Sequence, residues 1–116
     1  MAMHAALLGS ESRTTDVDSR IITIWEKYEA VHVVVDITAG SPNLVVTLKG
    51  KDPTSNKPYT LLTSNTLSVG TTVLRIGPDY TAGTNVAKDY VPYMFYASVA
   101  QSGSVAATYS IGATFI

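Results

Sequence analysis

An all-β fold is predicted for this chain of 116 residues, an antiparallel β-sandwich of the Ig-like or jelly-roll-like kind. Three observations predict it. Apolar residues recur at period two in several separate runs, the spacing of strands with one buried face. Clusters of Gly, Pro, Ser and Asn part these runs at short intervals, as in sandwiches and unlike α/β units. The clearest alternation lies in the last two runs, VPYMFYASVA (91–100) and AATYSIGATFI (106–116), which put Tyr93, Phe95, Ala97 and Val99 on one side and Tyr109, Ile111, Ala113 and Phe115 on another.

Taken in order, residues 1–12 are mildly apolar without a period. They predict an extended N-terminal arm, with residues 13–116 as the sandwich domain. Leu7 and Leu8 have no evident partner within the chain, so the arm is expected to order on a neighbouring subunit. Arg13–Ser19 alternates as an edge strand, its charges discouraging open-edge pairing. Ile21–Ala30 fits either a short helical turn or a strand followed by an irregular connection; its Ile and Thr content and the missing cap favour the second. Val31–Thr38 is a strand with Val31, Val33, Val35 and Ile37 on one face. Ala39–Asn43 reads as a turn and Leu44–Lys51 as the return strand, with Leu44, Val46 and Leu48 inward. Asp52–Lys57 is a tight connection to a further hairpin strand, Tyr59–Thr63. Gly70–Ile76 is a strand stopped by Gly77–Pro78, and Asp79–Asp89 is a polar loop. Gln101–Val105, with Gly103 able to take positive φ, predicts a hairpin between the last two runs.

Composition narrows the function. Charged residues are 15% of the chain, against roughly 25% in an ordinary soluble domain. A weakly charged surface suits contact with other protein. Eight basic and nine acidic side chains leave no footprint for nucleic acid or an anionic membrane. No apolar run approaches the roughly 18 residues of a membrane span, and MAMHAALLGS lacks the basic region of a secretory signal. Without cysteine there is no disulfide framework and no thiolate metal site.

Chemistry is sparse. His4 and His32 are the only histidines, too few for a zinc shell without cysteine. Asp16 and Asp18 lack the acid-rich loop that calcium needs. No serine sits in a G-x-S-x-G elbow, and no glycine loop cradles phosphate. The chain therefore reads as no enzyme, with no catalytic residue, metal or cofactor. Its aromatic residues suit interfaces, since tyrosine buries apolar area and keeps a polar tip. The candidate interface set is Leu7, Leu8, Trp25, Tyr28, Tyr80 and Tyr90.

Four stretches carry a resemblance: VHVVVDIT (31–38), NLVVTLKGKDPTSNKPYTLLTS (43–64), TTVLRIGP (71–78) and TYSIGATFI (108–116). Within them Gly50, Lys51, Asp52 and Pro53 precede Lys57, Tyr59, Leu61 and Leu62, and Ser110–Ala113 closes the pattern. These stretches resemble small virion proteins of tailed bacteriophages, from which Pro58 departs. The resemblance implies a β-sandwich without catalytic residues. It also implies a structural role, foremost a capsid decoration (cement) protein on the capsid surface, assembled in the host cytoplasm. The implied partners are the major capsid protein and further copies of the chain as a homo-oligomer, with no nucleic acid and no membrane. A tail or head–tail junction protein is the structural alternative, and a receptor- or carbohydrate-binding module the alternative of another class.

Overall fold

A computed structural model describes residues 2–40, 43–102 and 105–116. Ten strands form two sheets: β1 (Met3–Arg13), β2 (Val17–Asp18), β3 (Ile22–Thr23), β4 (Val31–Ala39), β5 (Asn43–Lys51), β6 (Pro58–Thr63), β7 (Gly70–Gly77), β8 (Val86–Lys88), β9 (Met94–Ser102) and β10 (Ala107–Phe115). The first sheet has the order β1-β10-β4-β7-β8; the second runs β2-β9-β5-β6, with β3 also on β9. The short β2 and β3 act as one interrupted strand along β9. The antiparallel pairs are then nested: β5 on β6, β4 on β7, β2 and β3 on β9, and β1 on β10. Such nesting, rolled into two facing sheets, is the jelly roll.

Alternation builds the core as the sequence predicts. Val31, Val33, Val35 and Ile37 of β4 face Leu44, Val46 and Leu48 of β5, and all are buried. Phe95, Ala97 and Val99 of β9 join Tyr109, Ile111, Ala113 and Phe115 of β10 in the same cluster. Phe95 of one sheet meets Phe115 of the other edge-on, with centroids 5.6 Å apart. That geometry suits the ring quadrupoles.

Three expectations are corrected. The last two runs form no hairpin: β9 lies in the second sheet and β10 in the first. Likewise β5 does not return beside β4 but crosses to the opposite sheet, and only β5–β6 closes as the expected hairpin. Gly103 and part of the 39–43 turn fall outside the described residues.

The third correction concerns the N-terminus. Residues 3–13 are no arm; they form β1, registered on β10 from Met3↔Phe115 to Arg13↔Ala107. Ala5 and Leu7 point into the sandwich. Irregularities between Ala6 and Leu8 and between Leu8 and Glu11 break the period and hide the strand from a pattern search. Arg13 pins the second one. Its guanidinium donates to the carbonyls of Gly9 (2.7 Å), Tyr109 (2.8 Å) and Glu11 (3.3 Å) and lies over the Tyr109 ring at 4.7 Å. Arg20 Nε donates to the Ala6 carbonyl at 3.0 Å. Both arginines thus occupy carbonyls along an edge strand, where open groups invite aberrant pairing.

The β5–β6 turn is locally encoded. Asp52 N–H donates to the Lys57 carbonyl, Asn56 N–H donates to the Asp52 carbonyl, and Asn56 takes φ 61°, which Asn tolerates. The Asp52 carboxylate accepts from the Ser55 hydroxyl (2.8 Å) and from the N–H groups of Thr54 and Ser55. These bonds, the Ser55 hydroxyl first, hold its carboxyl below the usual carboxylate range. A lowered folded pKa stabilises above the unfolded value, near ~4, and that contribution is lost as pH falls through the folded value. Asp52→Ala should therefore melt earlier than wild type at neutral pH, with the gap narrowing as pH falls through the folded value. A gap that ignores pH in thermal melts would show that the carboxylate charge contributes nothing.

Candidate interaction surface

Aromatic residues gather at one end of the sandwich, where β3 leads to β4 and where β7, β8 and β9 are joined. The buried Ile24 anchors the first connection, its N–H donating to the Tyr93 carbonyl at 2.7 Å. With Ile24 turned inward, the next residue turns out: Trp25 is 81% exposed. The same hydrogen bond sets Trp25 beside Tyr93, edge-on, with centroids 5.5 Å apart and planes at 88°. Further along, the N–H groups of Glu29 and Ala30 donate to the Ile116 carbonyl, and Ile116 N–H donates to Ala30. The connection is therefore pinned at both ends.

The second element is the stretch entering β9. Asp89 N–H donates to the Gly77 carbonyl at 3.2 Å, and Tyr90 follows, 76% exposed. Ile21, Tyr93 and Ile116 add partly exposed apolar surface. Trp25 and Tyr90 are therefore large side chains that the folded chain leaves in water, on a backbone tied down at short intervals.

The other residues expected here divide. Tyr28 is half-docked, its ring 5.7 Å from Phe115 and its hydroxyl donating to Glu26. Partial burial, then the Glu26 carboxylate, raises its phenol pKa. The Tyr80 ring lies against Gly77, where a Cβ would approach it within 2.9 Å, and its hydroxyl is 2.7 Å from His32 Nε2. Tyr80 is thus held by the fold. Leu7 is a buried core residue, while Leu8 is half-buried, packed against the core at the border of the sheet's outer groove. Tyr93 and Ile21, outside that set, are exposed as well. Tyr93 stands two residues before Phe95, just ahead of the start of β9, and is 42% exposed.

Among the described residues no three His, Asp or Glu side chains gather as metal ligands. His4 Nδ1 lies 3.3 Å from the Thr114 hydroxyl, and His32 Nε2 lies 2.7 Å from the Tyr80 hydroxyl. The arrangement offers exposed aromatic contact area at one end of the sandwich.

No family model matches the chain, and no curated protein matches it. Among solved structures, a chain from the structure of infectious bursal disease virus Gx strain is similar, with a TM-score of 0.45 and 10% identity over 98% of this chain. The match covers 31% of that chain, so this sequence spans about a third of its length.

Proposed function

We propose that the chain is a structural protein of a tailed-phage virion, acting as a capsid decoration protein on the outer surface of the shell. The observation that carries the reading is the rigidly held, water-exposed pair of Trp25 and Tyr93, with Tyr90 at the same end. Exposed aromatics on a fixed backbone are the common anchors of protein interfaces, because they bury much area without ordering a floppy chain. The sequence resemblance described above supports the virion setting, and the low charge supports a contact made by burial.

In this reading the aromatic end seats between neighbouring major capsid protein subunits. Each contact is modest, and repetition around the shell multiplies it. The protein stabilises the shell because it binds the assembled lattice more tightly than free subunits; only such a difference shifts the equilibrium.

Trp25→Ala tests this. Trp25 touches little besides Tyr93, so folding stability should change by no more than about 0.5 kcal/mol. Binding to particles stripped of the protein should weaken by about 30-fold or more, the loss of one interface anchor. Raising salt to about 1 M should alter wild-type binding little. Particles lacking the protein should release DNA at a lower temperature and recover when wild type is added back. Stripped particles that keep their heat resistance but fail to attach tails would favour a junction protein. Failure only in adsorption to cells would favour a receptor- or carbohydrate-binding module, for which exposed Trp25 would serve as a stacking platform.

A further inference from the structure

The outer face of the first sheet is ordered in rows that the strand register defines. One row holds His4, Thr114, His32 and Arg75. The next holds Ala6, Gly112, Val34 and Val73. The third holds Ser110, Asp36 and Thr71. The face thus runs from a row bearing Arg75 and two imidazoles, through small and apolar, to a row bearing Asp36. A shallow groove of about 470 Å³ lies over Ala6 and Gly112, bordered by Leu8, Val34 and Asp36. Val34 is 38% exposed at the middle of the central strands. Asp36 is held in place by the Thr71 hydroxyl, which donates to it at 3.0 Å.

We propose that this face pairs with the same face of a second copy of the chain. The order of the rows carries the choice of partner. A two-fold axis running across the strands, along the Ala6–Val73 row, lays that row on its own copy. The same rotation carries the Asp36 row onto the row of His32 and Arg75. Asp36 of each copy then stands over His32 and beside Arg75 of the other, in two symmetric contacts flanking an apolar centre. This is the self-complementarity that an isologous dimer needs. A two-fold axis along the strands would instead lay the Arg75 row on its own copy, leaving Asp36 away from Arg75 and without the opposite charge across the interface. The packing is that of two sheets face to face, about 10 Å apart.

Four strands spaced ~4.8 Å and nine residues long at ~3.3 Å rise cover roughly 500 Å², at the small end of specific interfaces. The dimer is therefore concentration-dependent, as weak, small interfaces are. The pairing is a property of the free chain and does not rest on the virion reading. It leaves Trp25 and Tyr90 uncovered.

Sedimentation equilibrium of the whole chain, from about 5 µM to about 1 mM, tests it. Wild type should pass from monomer to dimer across that range. Val34→Asp, at an exposed position, should weaken the dimer by at least about 10-fold, as an unpaired charge buried at an interface does. Asp36→Arg and Arg75→Asp should each weaken it as well. Mixed in equal amounts, these two should form a heterodimer near wild-type affinity, because the reversed charges face each other again. That rescue also shows that both variants are folded. A wild type that stays monomeric at about 1 mM, an undisturbed Val34→Asp dimer, or a mixture that fails to pair would each overturn the proposal. Lost binding to stripped particles by a chain that still dimerises counts against the virion reading alone.

Discussion

Replacing Phe95 by alanine is expected to cost about 3–5 kcal/mol of folding stability. The residue is fully buried in β9, registered between Ile22 of β3 and Gly50 of β5. Gly50 offers no side chain to fill a void, because the Tyr59 ring lies where its Cβ would be. Phe95 also reaches across the sandwich to Phe115, so its loss opens a cavity shared by both sheets. Sheets held by hydrogen-bonded ladders cannot close on such a gap without breaking register. Against a total of about 5–15 kcal/mol for a domain, the loss should be plain in urea unfolding. A double-mutant cycle with Phe115→Leu should return a coupling of about 0.5–1.5 kcal/mol for the ring pair. A loss below about 1 kcal/mol for Phe95→Ala would mean that the two sheets are not locked through this residue.

Gly40→Ala should cost about 3 kcal/mol or more. Gly40 stands where the chain leaves the first sheet after β4, with φ +103°. A Cβ there would overlap the carbonyl oxygen of Ala106 and lie 3.0 Å from Ala107 Cα. The crossing out of β4 and the crossing into β10 therefore touch, backbone to backbone. Gly70→Ala is the control. Its φ is +132°, yet an added Cβ there meets open space, so only the conformational penalty applies, about 1–2 kcal/mol. The excess at Gly40 measures the contact between the two crossings. Equal losses would show that residues 106–107 shift aside at no cost.

The faces of the strands were legible in the sequence because alternation reports directly on burial. Val31–Ile37, Leu44–Leu48 and Tyr109–Phe115 all keep their inward residues inward. The partner of each strand was not legible. AGSPN and QSGSV carry the residues of a tight hairpin, yet the same residues serve a crossing from one sheet to the other, where Gly40 is needed for close approach. Local chemistry specifies that the chain turns; which neighbour it then meets is decided by the nested pairing of distant strands. β1 was missed because its inward residues stop at Leu7 and Arg13 takes over. β8 was missed because three residues on the far edge of a sheet carry no period. Of the interface set, Trp25 and Tyr90 are the most exposed. Leu7 and Tyr80 show the limit of the argument: an apolar or aromatic residue without a visible partner in sequence can have one across the fold.

The register of β1 on β10 has a mechanical meaning. Met3 lies opposite Phe115 and Arg13 opposite Ala107, so the start of one strand and the finish of the other emerge side by side. Tension applied between those two points opens the pair as a zipper, one rung at a time, with each hydrogen bond bearing the whole load in turn. Load entering through the end loops or the broad sheet faces is instead divided among many bonds at once. The β1–β10 pair therefore yields more readily to tension at these adjoining strand ends than to shear along its strands.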